Sequence, residues 1–326
     1  MRDFDLSIVW PDLEIMGRLG GGPFGDVYLA KAKDGEDEAL NAVKIITMPP
    51  DGYNKLVAEG KRPAVNFAKY QNDLTWEMTM FKAADAPGLI KPEEMFLRRN
   101  PDDTGWVCAS RMKLYIPLAD YFGKKVRTAD VVRMGRELCS IIESYANLGL
   151  VHGDIKPENV FVDDNGNFLI GDFGIKRCLA KAGTADLTQS SAYDAPEVET
   201  YGRYYAVSDL YSLGMTMAYL LNGCSMPTGK NINLIKCKDP ELIKIIKKAV
   251  SYDPKDRYRS AGDMMAALDR LTVKSKPHMR NLTARDAALD KINRPSIVVI
   301  PDEEFPEERR GRITAFFRRI RTKMGR

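Results

Sequence analysis

The residues best equipped to act together lie in one short stretch, Val151-His152-Gly153-Asp154-Ile155-Lys156-Pro157-Glu158-Asn159-Val160. Asp172-Phe173-Gly174 follows within a hairpin's length. Between them run Phe161-Val162, then Asp163-Asp164-Asn165-Gly166, then Phe168-Leu169-Ile170. Two apolar runs about an Asn-Gly pair predict a β-hairpin. Such a hairpin brings Asp154 and Asn159 to the same end as Asp172, beside Lys156. Three oxygen-bearing side chains converging there suit a hard divalent cation that bridges phosphates, with one carboxylate left over to receive a proton. The bland alternative is a polar loop whose carboxylates cap turns.

A glycine run lies far upstream. Gly20, Gly22 and Gly25 sit in Leu19-Gly20-Gly21-Gly22-Pro23-Phe24-Gly25-Asp26-Val27, and Val27 to Ala30 reads on as a strand. Glycine lets a backbone approach phosphates without a Cβ in the way. Taken alone, such a run is more often a flexible hairpin. A strand, not a helix, follows it, so it does not fit a dinucleotide-binding turn. Lys44 comes next, inside the apolar strand Asn41-Ala42-Val43-Lys44-Ile45-Ile46. A lysine there either faces water at an edge or needs a partner, because an unpaired buried charge is costly.

Other elements must position these groups. Leu13 to Ile46 predicts strands and turns. Thr47 to Asn72 is a long polar extension with a helix over Leu56–Tyr70 broken near Pro63. Leu74, Met78 and Phe81 are spaced for one apolar face of a helix over Asp73–Ala84. Thr128 to Leu148 predicts a long helix burying Val131, Val132, Leu138, Ile141, Ile142 and Tyr145, ended by Gly149. Ser208 opens a strongly apolar helix running to Asn222-Gly223, and Met264, Met265, Ala267, Leu268 and Leu271 complete a last core helix.

In chain order, Gly20-x-Gly22-x-x-Gly25-x-Val27, Ala42-Val43-Lys44, His152-Gly153-Asp154-x-Lys156-x-x-Asn159, Asp172-Phe173-Gly174 and Ala195-Pro196-Glu197 resemble the motif set of eukaryotic-type serine/threonine protein kinases. The resemblance covers about residues 12–272. It implies an α+β, two-lobed fold: a small β-rich N-lobe (about 12–112) with one regulatory helix, and a larger, mainly helical C-lobe (about 116–272). It implies ATP and Mg2+, with Mn2+ as a substitute, held between the lobes, and transfer of the γ-phosphoryl group to a Ser or Thr hydroxyl of a protein substrate.

The resemblance also assigns roles. Asp154 accepts the hydroxyl proton, and Lys156 offsets charge on the moving group. Asn159 and Asp172 hold the metal. Lys44, paired with Glu77 (or alternatively Glu59), contacts the α- and β-phosphates under the glycine loop. Val27, Ala42 and Met112 surround the adenine, and Lys113, Leu114 and Tyr115 form the hinge. Asp209 is expected to accept hydrogen bonds from the catalytic-loop backbone, and Arg257 to pair with Glu197. The polar run Ile175–Ala192 is the expected activation segment, with Thr184, Thr188, Ser190 and Ser191 as candidate phosphosites. Lys156-Pro157-Glu158-Asn159 is the serine/threonine form of the loop. The sequence departs from the pattern at Gly153, where most such kinases carry an arginine that clasps a phosphate on that segment. A kinase-fold binding module without catalysis is the competing class, but such proteins usually lack Lys44, Asp154 or Asp172. A small-molecule kinase is a third reading, disfavoured by Ala195-Pro196-Glu197 and Arg257.

The chain's 326 residues, 44% hydrophobic and 29% charged, are ordinary for a globular protein with a large core. A net charge of +4 is too small to argue for nucleic acid. The five cysteines are scattered, which fits free thiols in a reducing compartment. No signal peptide is legible at Met1-Arg2-Asp3-Phe4-Asp5, so a cytoplasmic location is expected. Residues 273–308 read as a linker. In 309–326, Ile313, Phe316, Phe317, Ile320 and Met324 share one helical face among arginines and lysines. That basic amphipathic pattern suits an anionic membrane surface, bound peripherally, or an acidic partner.

Overall fold

A computed structural model describes residues 9–22, 25–33, 40–48, 86–99, 106–123, 126–172, 191–226, 237–271 and 282–293, together with 72, 73, 75, 76, 79 and 176. Most of the 47–72 extension, Glu59, Glu77, Thr184, Thr188, Ser190 and the tail 309–326 lie outside the described residues.

The N-terminal part is a five-stranded antiparallel sheet in the order β1-β2-β3-β5-β4, built from β1 (Leu13–Gly22), β2 (Gly25–Ala32), β3 (Leu40–Met48), β4 (Glu94–Arg99) and β5 (Trp106–Lys113). Side chains alternate between faces with a period of two, so the register decides which residues share a face. Val27 lies opposite Lys44, which lies opposite Ser110. Leu29, Ala42 and Met112 form the next row on the same face. The other face puts Ala30, Val43 and Ala109 against Trp10 and Leu13 in a small separate core. The sheet therefore buries both faces, and Lys44 is carried on the one that joins the main core. Residues 72, 73, 75, 76 and 79 are helical, in keeping with the helix expected there.

The larger part begins with β6 (Ile116–Pro117), which pairs with β7 (Val160–Val162), which pairs with β8 (Phe168–Ile170). The β7–β8 turn forms as its residue types require. Asp163 Oδ1 accepts from the amides of Asn165 and Asn167, and Gly166 takes φ of +86°. The helices are α1 (Leu118–Phe122), α2 (Thr128–Ala146), α3 (Pro196–Tyr201), α4 (Ala206–Leu221), α5 (Pro240–Ala249), α6 (Ala261–Asp269) and α7 (Ala284–Asn293). In α2, Val131, Val132, Leu138, Ile141, Ile142 and Tyr145 are all buried, the face its periodicity predicts. Helix α4 is apolar nearly all round and is buried to match. The β-rich N-lobe and helical C-lobe expected from the sequence are thus present. They are joined through Leu114-Tyr115 and stitched again where Ile90 N–H donates to Ile170 O at 2.9 Å and Ile170 N–H donates to Gly88 O at 2.9 Å.

Helix α7 lies within the stretch that the sequence leaves as a linker. Ala284, Ala287 and Ala288 are buried in the main core. No helix among the described residues is long and apolar enough to cross a membrane. Cys108, Cys139, Cys224 and Cys237 are free thiols.

Candidate active site

The loop from Val151 to Lys156 has no ladder of its own, so its backbone must be held by other groups. Asp209, fully buried near the start of α4, does this. Its Oδ2 accepts from His152 N–H at 2.8 Å and Tyr145 O–H at 2.9 Å, and its Oδ1 accepts from Gly153 N–H at 2.8 Å. This is the contact expected of Asp209. Burial pushes its carboxyl up, and the nearby His152 and the donors only partly offset that. Gly153 takes φ of +78°, a conformation that costs little only without a Cβ.

His152 completes the support. Its Nε2 lies 2.8 Å from Gly171 O, and its Nδ1 accepts from Asp154 N–H at 3.2 Å. The two contacts assign the neutral Nε2–H tautomer. Burial pushes the imidazole pKa down, in the same sense. Through this ring the loop of Asp154 is fixed to the residue preceding Asp172. Gly171 N–H also donates to Asn159 O at 2.9 Å, a second tie between the two loops.

Asp154, only 6% exposed, is held on one oxygen by two donors. Lys156 Nζ stands 2.7 Å from Oδ2, and Asn159 Nδ2 donates to Oδ2 at 2.9 Å and to the Asp154 carbonyl at 2.8 Å. Asp172 sits at φ +60°, an uncommon conformation for a residue with a side chain and one concentrated at functional sites. Its Oδ1 meets Lys44 Nζ at 2.6 Å. Lys44 is buried, so its charge requires this partner. Burial pushes the Asp172 carboxyl up, but Lys44, His152 and Lys156 outweigh it, and the net direction is down.

The site thus gathers Lys44, Asp154, Lys156, Asn159 and Asp172, as the sequence predicts. Of the other predicted residues, Gly20 pairs with Val27 and Gly22 with Gly25 across the β1–β2 hairpin. A Cβ on Gly25 would run into the Ile45 carbonyl, so this glycine is fixed by close approach of backbones. Val27, Ala42, Met112 and Leu114 all border the main core, whereas Lys113 is exposed and Tyr115 half-buried. The expected pairing of Lys44 with Glu77 lies outside the described residues, as does that with Glu59. Glu197 and Arg257 form the expected buried pair, with two bonds of 2.7 Å. Ser208 O–H also donates to Glu197 Oε1 at 2.6 Å.

One group escapes sequence reasoning. Lys176 Nζ, 5% exposed, lies 2.6 Å from both oxygens of Asp194 and 3.7 Å from Asp154 Oδ1. The only signal is a pair of opposite charges, one just after Asp172-Phe173-Gly174 and one just before Ala195-Pro196-Glu197. Among the described residues no group of three or more His, Cys, Asp or Glu could enclose a metal by itself. A cation here would need oxygen atoms from a ligand as well, which is how Mg2+ is commonly bound beside phosphates.

Comparison with known proteins agrees with this geometry. The family model described as protein kinase domain matches residues 13–300. Mouse mitogen-activated protein kinase kinase kinase kinase 3 is 26% identical over 326 residues, covering 90% of this chain and 32% of that protein. Bacillus subtilis serine/threonine-protein kinase PrkC is 24% identical over 315 residues, 89% of this chain and 45% of its own length. Mycobacterium tuberculosis serine/threonine-protein kinase PknL is 29% identical over 178 residues, 48% of this chain and 45% of its own. The chain spans less than half the length of each of these relatives. With its motifs in order, a two-lobed architecture and a family match over most of its length, this chain belongs to the protein kinase family.

Proposed function

We propose that the protein transfers the γ-phosphoryl group of ATP to serine or threonine hydroxyls of protein substrates, with Mg2+. The observation that carries this reading is the convergence of two arrays: Asp154 with Lys156 and Asn159 on one side, and the Lys44–Asp172 pair on the other. The serine/threonine form of the loop, Lys156-Pro157-Glu158-Asn159, and the two bacterial relatives named as serine/threonine kinases support the acceptor class.

Asp154 orients the acceptor hydroxyl and takes its proton as the oxygen bonds to the γ-phosphorus. The bond to the β–γ bridging oxygen breaks, and ADP leaves. Lys156, on the more open side of Asp154, offsets charge on the transferring oxygens. Lys44 faces the α- and β-phosphates, and the backbone of Gly20, Gly22 and Gly25 covers them, where side chains would obstruct. Asn159 has its amide nitrogen engaged by Asp154, which leaves its oxygen for the metal beside the Asp172 carboxylate. Mg2+ bound there would neutralise phosphate charge. Val27, Ala42 and Met112 offer apolar surface to adenine, and the backbone at Lys113, Leu114 and Tyr115 offers hydrogen bonds. Catalysis of this kind is positioning plus electrostatics, with no covalent intermediate.

The test is magnesium-dependent transfer of γ-labelled phosphate from ATP to a mixed protein substrate, followed by phosphoamino acid analysis. Label on serine and threonine is expected, and Asp154→Asn should lower the rate by about 10²–10⁴-fold. Label that persists unchanged in that variant would overturn the role of Asp154. Label only on tyrosine would overturn the acceptor class.

A further inference from the structure

Asp154 is flanked by two lysines that differ in kind. Lys156 is the more exposed, with 23% of its side chain accessible, and it contacts Oδ2. Lys176 is 5% exposed and approaches Oδ1 at 3.7 Å from the interior. Among the described residues, only Lys176 has a second anchor. Asp194 grips it with both oxygens at 2.6 Å, and Asp194 Oδ2 is itself fixed by Ser191 N–H at 2.8 Å. Asp154 and Asp194 are both nearly buried, and Lys176 is the cation that lies between them. The pair is eighteen residues apart in sequence. It therefore ties Lys176, just after the Asp172 motif, to Asp194, just before Ala195-Pro196-Glu197, on the buried side of Asp154. Gly153, where an arginine would otherwise sit, supplies no side chain to do this.

We propose that Lys176 is a positioning residue for phosphoryl transfer: anchored by Asp194, it holds the Asp154 carboxylate from its buried side, so that Asp154 is aimed by a cation permanently present in the chain and not by one recruited through a phosphorylated hydroxyl. The inference rests on the proposed kinase activity. It separates the two lysines by task. Lys156 follows the moving phosphoryl group, and Lys176 fixes the base.

The experiment compares Lys176→Met, Lys176→Arg, Asp194→Asn and the Lys176→Met/Asp194→Asn double variant with the full-length wild type after phosphatase treatment. Each is assayed for kcat, KM for ATP and thermal midpoint. Misplacing a catalytic group by about 1 Å costs on the order of 100-fold in rate. Lys176→Met should therefore lose about that much kcat while KM for ATP stays within about twofold, and Lys176→Arg should restore most of it. The double variant, which leaves no buried charge unpaired at 176 or 194, should fold even if Lys176→Met does not. Its kcat should be no lower than that of Asp194→Asn, because the pair acts as a unit. Phosphatase treatment should leave the wild-type rate intact. A folded Lys176→Met or double variant with kcat at or above the wild-type value overturns the inference while leaving the kinase reading in place. So does a wild-type rate abolished by phosphatase. A wild type that transfers no label to any protein overturns both.

Discussion

The two lobes place their charges by different means. In the N-lobe, Lys44 is presented by strand register: pairing with Val27 on one side and Ser110 on the other sets which face it occupies, and Asp172 then meets its charge. In the C-lobe, Asp154 is positioned by a chain of buried polar contacts running from Asp209 through the backbone of His152 and Gly153, with the His152 ring as a second support. A sheet ladder survives the loss of one side chain, whereas a buried polar network left half-satisfied does not. Loss of the N-lobe charge should therefore separate activity from stability, and damage to the C-lobe framework should cost both.

The sharpest way to break this contrast is Arg257→Met. Removing one partner of the buried Glu197–Arg257 pair should cost about 3–5 kcal/mol of stability, read by denaturant unfolding. The pH dependence gives the sign. Burial raises the Glu197 carboxyl, but the Arg257 and Ser208 hydrogen bonds outweigh it and hold the folded value below the ordinary 4.5. The wild type therefore has this stabilisation in full above about pH 4.5 and loses it as pH falls through the folded value. In the variant, Glu197 is buried without a cation and gains by protonation. The stability gap between the two should narrow as pH drops below 4.5, and a gap that widens would reverse the assignment.

Lys44→Met comes next. It should lower kcat/KM by about 10²–10³-fold, the scale of losing one electrostatic contact to the reacting group, with thermal stability within a few degrees of wild type. A folding defect as large as that of Arg257→Met would erase the distinction between the lobes. Gly153→Ala probes the C-lobe backbone directly. At φ +78° the added Cβ should cost about 1–2 kcal/mol, measured by unfolding. Smallest of all, Thr184→Ala and Thr188→Ala should leave the rate within a few-fold, since Gly153 carries no side chain to clasp a phosphate. A hundredfold drop in either would show that another group has taken over that clasp.

The parts of the site legible in sequence are those where chemistry and chain proximity coincide. Asp154, Asn159 and Asp172 sit about one hairpin, and the Asn165-Gly166 turn announces that hairpin. Lys44 was legible because a lysine in an apolar strand needs a reason. Lys176 was not, because a lysine in a polar run reads as solvated, and its burial is created by Asp194, eighteen residues on. Helix α7 was illegible for a different reason. It enters the core with Ala284, Ala287 and Ala288, whose small side chains give a weak periodic signal although they permit close approach. The exposed Lys113 and half-buried Tyr115 show why the hinge is the vaguest feature in sequence. If its hydrogen bonds come from the backbone, residue types carry little information there.

Helix α7 also has a mechanical side. At its start the Ala284 amide is tethered to Asp164, in the β7–β8 turn of the C-lobe, at 2.9 Å, and near its end Ile292 lies so close to Gly17 of β1 that a Cβ there would meet it at 2.9 Å. The segment acts as a brace across the joint: widening of the cleft must either shear Ile292 off the glycine or pull the tether loose. The same ten residues that read as a mere connection therefore tie one lobe to the other.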